Sequence, residues 1–130
     1  MPRFFNPDAV QAPASKYSHG ASHALSGRRL VISGQIGVDS EGRVAEGLEA
    51  QFDQAFANLL AVLRADGMDI PHLLKVTAFC TQPGGVGKFR VAREKALQGH
   101  APATTYLEVS GLATSALLVE IEGEAVMDDA

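Results

Sequence analysis

The sequence predicts an α+β domain in which a mostly antiparallel, mixed sheet carries two helices on one face. Its 130 residues, 46% hydrophobic and 20% charged, suit a single compact domain with its own core. Stretches of strand-like apolar pattern are intermixed with two stretches of helical period. Short turns join the first pair of strands and the last pair of strands, so only the helices can serve as crossovers. We therefore expect one domain over residues 1–130.

The N-terminal region predicts an arm followed by two strands. Residues 1–16 should be extended, because Pro2, Pro7 and Pro13 each bias the preceding residue away from helix. The stretch SHALSGRRLVISGQIGV then predicts two strands with SGRR as the turn between them. Its segment LVISG has consecutive apolar residues, which is typical of a strand covered on both faces.

The middle of the chain predicts an amphipathic helix of about five turns. Apolar residues recur there at spacings of three and four: Leu48, Phe52, Ala55, Phe56, Leu59, Leu60 and Leu63. Polar residues lie between them and should form the opposite stripe: Gln51, Asp53, Gln54 and Asn58. The helix should end near Asp66 and Gly67, since glycine readily takes the left-handed cap conformation.

A strand, a second helix and two more strands complete the predicted order. LLKVTAFCT predicts the strand, and GGVGKFRVAREKALQGH predicts the helix, with Phe89, Ala92 and Ala96 on one face and Gly99 as its stop. The stretches TTYLEV and LLVEIEGEAV predict the closing strands.

The last strand has two chemically different sides. Val119, Ile121, Gly123 and Ala125 alternate with Glu120, Glu122 and Glu124. The apolar side should lie under the helices. The glutamate side is either solvated or turned into a cleft, and a carboxylate in a desolvated cleft would have a raised pKa and could exchange protons with water.

Composition argues against several function classes. The formal net charge is −4, and basic residues are scattered apart from Arg28 and Arg29, so we expect no nucleic-acid partner. The N-terminus lacks a secretory pattern and no stretch is long enough to span a bilayer, so we expect a cytoplasmic protein without a membrane partner. Cys80 is the only cysteine, which excludes an internal disulfide and a cysteine-based metal cluster.

Local motifs point to no familiar catalytic centre. GGVGK departs from the phosphate-binding loop, because Gln82 stands where that loop needs glycine and Phe89 follows Lys88. His19 and His23 have no convincing acidic or cysteine partner in the sequence, so they predict no metal site. Ser33 is either a buried strand-end hydroxyl or a ligand contact.

Four stretches taken together resemble the reactive intermediate deaminases, the RidA or YjgF family. SGQIGVDSEGRV, LLKVTAFC, APATTYLEVSGL and LLVEIEGEAV agree with that family in order and spacing, and the likeness covers residues 17–126. The resemblance implies a chorismate-mutase-like fold and a homotrimer whose sheets form a central barrel with small-molecule clefts at the interfaces. It also implies hydrolysis of imines and enamines, such as 2-aminoacrylate, to a 2-oxo acid and ammonia, without metal or organic cofactor.

The resemblance also implies site residues. Glu120 matches the acid that positions or activates the hydrolytic water. The substrate-binding positions carried over are Tyr17, Ser33, Gly34, Gln35, Ile36, Phe89, Thr104 and Tyr106. Among these, Phe89 corresponds to an apolar wall residue, and Tyr106 falls where the family often has a small cysteine.

One position departs from the family pattern. Deaminases of this family carry an arginine two residues after a proline, where it holds the substrate carboxylate with paired hydrogen bonds. Here the residues are Pro102, Ala103 and Thr104, and threonine offers no charge. Tyr106 should share a strand face with Thr104 and reduce the room in the cleft, whereas Thr105 should point towards the core.

Other residues remain as alternative sources of the missing charge. The candidates are Arg28, Arg29, Arg90, Arg93 and a residue of a neighbouring subunit. The sequence thus predicts a Rid-like hydrolase with atypical substrate choice. A non-catalytic trimer that binds a small molecule is the alternative, and a ribonuclease is disfavoured by the acidic charge balance.

Overall fold

The computed structural model describes residues 1–128, which form a four-stranded mixed sheet, two helices and a small two-stranded sheet. The strands and helices in chain order are β1 (Arg3–Phe5), β2 (Gly20–Ser22), β3 (Arg28–Ile36), α1 (Leu48–Ala65), β4 (Leu73–Cys80), α2 (Val86–Leu97), β5 (Ala103–Glu108) and β6 (Val119–Met127). A 3-10 turn, Ile70–His72, leads into β4. This order confirms the predicted α+β class.

The main sheet has the order β3-β6-β4-β5. β6 is antiparallel to both β3 and β4, whereas β5 is parallel to β4. A parallel neighbour needs a crossover, and α2 supplies it between β4 and β5. β3 and β5 are therefore the edge strands of the main sheet. β1 and β2 pair separately as an antiparallel ribbon.

Both helices cover one face of the main sheet. Phe52, Phe56 and Leu59 of α1 are at most 1% exposed, because the apolar stripe of this helix turns towards β3 and β6. Phe89 of α2 packs on the same cluster, with its ring centroid 5.7 Å from Phe52 and 6.0 Å from Phe56. Within residues 1–128, neither helix is long and apolar enough to cross a membrane.

The polarity of Gln51 predicted that it lies on the exposed polar stripe of α1, and this prediction was wrong. Gln51 is 2% exposed, and its amide donates to the carbonyls of Ala45 and Ala116 at 3.1 and 3.0 Å. Its amide oxygen accepts from the backbone of Leu118 at 2.8 Å. A buried amide is stable because all of these groups are paired, and it ties α1 to the loop that enters β6.

The alternation predicted for β6 is confirmed. Val119, Ile121 and Ala125 are fully buried beneath the helices, while the glutamates point to the opposite, open face. On that open face Val31 is 61% exposed and Leu107 is 47% exposed. The expectation that the LVISG strand is covered on both faces is therefore not met within one chain.

The predicted orientation of β5 was wrong. Thr104 pairs with Val76 and Tyr106 with Ala78, and both partners are buried under the helices. Paired residues on neighbouring strands point to the same side, so Thr104 and Tyr106 face the helices. Thr105 faces the open side, where it accepts a 2.7 Å hydrogen bond from Lys75.

Two predicted boundaries also shift. The predicted turn SGRR ends earlier than expected, at Gly27, whose φ is +97°. Arg28 and Arg29 already belong to β3 and pair with β6. α1 ends at Ala65 beside Gly67 (φ +77°), as predicted. α2 ends at Leu97, two residues before its predicted glycine stop at Gly99, because Gln98 itself takes the left-handed conformation at φ 52°.

Candidate functional site

A cavity of about 200 Å³ opens between β5, α2 and the N-terminal segment, and we call it the β5 cavity. Four of the substrate-binding residues expected from the sequence line it: Tyr17, Phe89, Thr104 and Tyr106. The remaining expected residues lie elsewhere. The cavity therefore unites half of the predicted substrate-binding residues within one chain.

Hydrogen bonds to the start of β5 hold the N-terminal segment against the cavity. The backbone N–H of Ser18 donates to the carbonyl of Pro102 at 3.2 Å, and its hydroxyl donates to the carbonyl of Ala101 at 2.6 Å. Ser18 is buried, so these bonds are shielded from water. They place Tyr17 beside the residues that follow Pro102.

Thr104 offers the cavity no free donor in this conformation. Its hydroxyl donates to the carbonyl of Pro102 at 3.0 Å. A hydroxyl has a single proton to donate, so this bond uses it. Position 104, where the reactive intermediate deaminases carry arginine, therefore supplies neither a positive charge nor an available proton in this chain.

Tyr106 lines the cavity beside Phe89. Its ring lies 5.2 Å from that of Phe89, centroid to centroid. Its hydroxyl is buried and has no hydrogen-bond partner among the described residues. Burial is the main cause that raises the pKa of the Tyr106 phenol above its ordinary value, with the adjacent Cys80 thiol contributing.

Arg93 is the cavity residue that the helical pattern failed to place. It is 2% exposed, although arginine is rarely buried without an acidic partner. One terminal nitrogen donates to the Ser15 hydroxyl at 3.1 Å, and the guanidinium carbon lies 5.2 Å from the centre of the Phe89 ring. Nε has no hydrogen-bond partner in the described part of the chain.

The spacing of Phe89, Arg93 and Leu97 is a signal that could have located Arg93. These residues follow one another at intervals of four, and all three are buried on α2. Residues four apart share one helix face. Arg93 was named from the sequence as a possible source of the missing charge, but its burial was not predicted.

The β5 cavity has a positive electrostatic character. Arg90 and Arg93 both line it, and no acidic side chain does. Burial, and then repulsion from Arg90, lower the pKa of Arg93 below its ordinary value. Arginine nevertheless remains protonated at neutral pH, because the ordinary pKa of a guanidinium lies far above neutral pH.

The other two candidate arginines lie away from this cavity. Arg28 and Arg29 belong to β3, the opposite edge strand from β5. Arg29 forms a 2.7 Å ion pair with Glu124, and Arg28 donates to the carbonyl of Asp66 at 2.7 Å. Of the arginines considered from the sequence, only Arg90 and Arg93 line the β5 cavity.

The remaining predicted residues form a second group where β3 meets β6, which we call the Glu120 group. Its members are Ser33, Gly34, Gln35, Ile36 and Glu120. Ile36 is directly opposite Glu120 across the strand pair. A register shift between Ile32 and Gln35 bends β3 there, as a bulge does. The Gln35 amide donates to the Ser33 carbonyl at 3.1 Å.

Gly34 allows the Glu120 carboxylate to lie against the β3 backbone. A Cβ at Gly34 would be 2.7 Å from the Glu120 carboxyl carbon, closer than real Cβ contacts occur. Glu120 is partly exposed and forms no ion pair with a basic side chain within residues 1–128. Its carboxylate is therefore available to a ligand or to water.

The two groups lie on opposite faces of the main sheet. Glu120 pairs with Phe79 of β4, whereas Thr104 and Tyr106 pair with Val76 and Ala78. Odd and even positions of β4 point to opposite faces. One chain alone therefore cannot direct Glu120 into its own β5 cavity.

This chain is similar to one family model, to named proteins from other organisms and to solved structures. The family model described as Endoribonuclease L-PSP matches residues 8–127. The 2-iminobutanoate/2-iminopropanoate deaminase of Rattus norvegicus is 31% identical over 118 residues, which span 89% of this chain and 85% of that protein. Protein DfrA of Myxococcus xanthus is 32% identical over 103 residues, 78% of each chain. The crystal structure of YyfB, a Rid-family protein from Yersinia pestis, matches with a TM-score of 0.88 and 29% identity, covering 97% of this chain and 98% of that one.

Proposed function

Since this chain belongs to the Endoribonuclease L-PSP family, the family of the RidA and YjgF proteins, we propose that it hydrolyses a small imine or enamine to a carbonyl compound and ammonia. The observation that carries the proposal is the β5 cavity, where Tyr17, Phe89, Thr104 and Tyr106 converge. A concave pocket that combines aromatic side chains with a small number of placed polar groups is typical of a small-molecule site. The relative from Rattus norvegicus is named for deamination of 2-imino acids.

The proposed reaction needs one group that exchanges protons with water. The water oxygen attacks the imine carbon while Glu120 accepts a water proton and passes it to the imine nitrogen. The remaining hydroxyl proton moves to the amine through the same carboxylate, the carbon–nitrogen bond breaks, and ammonia leaves as the carbonyl forms. A positioned carboxylate of this kind contributes roughly 100- to 10,000-fold to a rate.

We propose that the complete site forms between subunits of a homotrimer. Glu120 and the β5 cavity face opposite sides of one sheet, so a second chain must bring its Glu120 group to the cavity of the first. The open face supports such an assembly, since Val31 and Leu107 are exposed apolar residues on it. Closed cyclic assemblies bury equivalent surfaces of every copy.

Substrate choice should differ from that of deaminases with arginine at the position of Thr104. The Thr104 hydroxyl is bonded to Pro102 and cannot grip a carboxylate with charge. Charge-assisted, paired hydrogen bonds are roughly twice as strong as neutral ones. A 2-imino acid must therefore be held differently, or a different imine is preferred.

The Glu120→Gln variant tests the proposed chemistry. With 2-iminobutanoate formed in place by a dehydratase, the wild-type protein should accelerate conversion to the 2-oxo acid. The variant should be slower by about 100-fold or more, because an amide cannot accept the water proton. Turnover is measured as ammonia release, and size-exclusion chromatography with light scattering checks that assembly is unchanged.

Glu122→Gln is the matched control, because Glu122 is a neighbouring, exposed glutamate on the same side of β6. It should keep wild-type turnover. Equal turnover by wild type and the Glu120 variant would remove the acid–base role of Glu120.

The Thr104 hydroxyl already donates to the carbonyl of Pro102. Because it is not free to hold a substrate, it also favours a second candidate function, a trimer that binds a small molecule without catalysing a reaction. That candidate predicts saturable binding of a small ligand by the wild-type protein with no ammonia release. Turnover that depends on Glu120 would exclude it.

A further inference from the structure

We propose that Arg93 is the anion-binding residue of the β5 cavity and that it holds the carboxylate of a small 2-imino or 2-oxo acid, in place of the arginine absent from position 104. The inference rests on the proposed function, because it specifies the substrate class of that site. It moves the carboxylate contact from strand β5 to helix α2.

The surroundings of Arg93 differ from those of the paired arginines of this chain. Arg29, Arg43 and Arg64 each form an ion pair with a carboxylate, and their side chains are 52–72% exposed. Arg93 is 2% exposed and has no carboxylate within ion-pair distance in the described region. An uncompensated buried charge is costly, so an anion that enters the cavity would bind favourably.

Two contacts hold the Arg93 guanidinium without using all of its donors. It stacks on Phe89 at 5.2 Å and donates once, to Ser15 at 3.1 Å. A guanidinium carries five N–H donors, and Nε is among those left without a partner. Stacking and a single anchoring bond fix the plane of the group, which reduces the entropy lost when it binds a carboxylate.

A second unpaired donor belongs to a residue that lines the same cavity. The Tyr106 hydroxyl is buried without a partner among the described residues, and the residue lines the cavity together with Arg93. These are the two buried side-chain polar atoms left unpaired within residues 1–128. A carboxylate is an acceptor-only group with several lone pairs, so it suits a cavity whose lining residues carry unpaired donors.

The size and charge of the cavity restrict the ligand further. Its volume of about 200 Å³ is below the range of about 300–1,000 Å³ for drug-sized ligands, so a small acid fits best. Arg90 adds a second positive charge at the lining, and no acidic side chain lines the cavity to oppose an anion.

Binding of unreactive ligands tests the proposal without relying on hydrolysis. Isothermal titration calorimetry compares 2-oxobutanoate with 2-oxobutanamide, which has the same shape but no charge. The wild-type protein should bind the acid at least about tenfold more tightly than the amide, because only the acid forms charge-assisted bonds. Arg93→Met, which keeps an unbranched apolar stem, should abolish that preference.

Arg64→Gln is the control for the loss of one positive charge, because Arg64 is exposed at the end of α1 and paired with Asp69. It should keep the wild-type preference for the acid. If Arg93→Met does not fold, Arg93→Gln gives the same uncharged comparison. A wild-type protein that binds acid and amide equally, or an uncharged Arg93 variant that keeps the preference, would overturn the proposal.

The binding test of Arg93 can succeed or fail independently of the turnover test of Glu120. Loss of acid preference in the Arg93 variants supports the binding role even if Glu120→Gln has no effect on turnover. Turnover that depends on Glu120, together with an Arg93-independent preference for the acid, would leave the hydrolase intact and remove only the Arg93 assignment.

Discussion

The phenol of Tyr106 combines burial with an unmade hydrogen bond. Its hydroxyl has no partner in the described part of the chain, and the neighbouring Cys80 thiol is at best a weak one. A buried, unsatisfied polar group costs about 1–3 kcal/mol. The unpaired hydroxyl of Tyr106 therefore reduces the stability of the free protein.

We expect Tyr106→Phe to raise the free energy of unfolding by about 0.5–1 kcal/mol at neutral pH, because it removes the unpaired hydroxyl and keeps the ring contact with Phe89. Urea unfolding followed by circular dichroism measures the change. Tyr17→Phe is the control, since the Tyr17 hydroxyl is not among the buried unpaired atoms. A less stable Tyr106 variant would show that the hydroxyl is satisfied in solution.

The same substitution should change the stability at alkaline pH. The folded state raises the pKa of Tyr106 above its ordinary value of 10.0. The unfolded chain then releases this proton at lower pH than the folded chain, so wild-type stability falls as pH rises above about 10. The advantage of Tyr106→Phe should therefore grow in that range.

At the scale of elements, α1 holds both segments that form the Glu120 group. Gln51 bonds to the backbone of Leu118, directly before β6. Asn58 donates to the carbonyls of Ile36 and Val38, at the end of β3, at 3.0 and 2.9 Å. Polar residues on a mostly apolar helix thus fix the ends of two strands, because buried backbone groups at strand ends require partners.

We expect Gln51→Leu to lower the free energy of unfolding by about 2–3 kcal/mol, since it removes three hydrogen bonds at roughly 1 kcal/mol each. Urea unfolding measures this value, and hydrogen exchange should show faster exchange of the Leu118 amide. Gln54→Ala is the matched control, because the Gln54 amide donates only to the Asn58 side chain. A Gln51→Leu protein of unchanged stability would mean that these bonds contribute little.

At the scale of the whole molecule, the sheet is covered on one face and open on the other. The open face combines the β6 glutamates with exposed Val31 and Leu107. β5 is an edge strand, and beyond its bridge from Ala103 to Ser18 its outer backbone groups are free to meet another chain. Both features support the proposed trimer.

We expect the wild-type protein to have three times the chain mass of 13.7 kDa by light scattering. Leu107→Lys should shift the protein towards monomers, because it places a charge in the interface that we propose. It should also lose turnover, since the two halves of the site would separate. Leu25→Lys is the control, because Leu25 is fully exposed in the loop before β3. A monomeric wild type would refute the assembly.

Local pattern was sufficient to predict most elements of this fold. The period of α1, its end near Gly67 and the alternation of β6 are all as predicted, because burial of one face imposes a repeat that the sequence records directly. The same reasoning failed for Gln51 and Arg93, which are polar residues at buried positions. Their burial depends on partners supplied by distant segments.

The sequence by itself determined the α+β class, the order of the elements and the residues to consider for the site. Only the tertiary structure decided how those residues are grouped. The register of β5 on β4 turns Thr104 and Tyr106 under α2, and the packing of α2 brings Arg93 to Ser15, 78 positions away. Periodicity describes one segment at a time, whereas a site depends on contacts between segments, which are set by register and packing together.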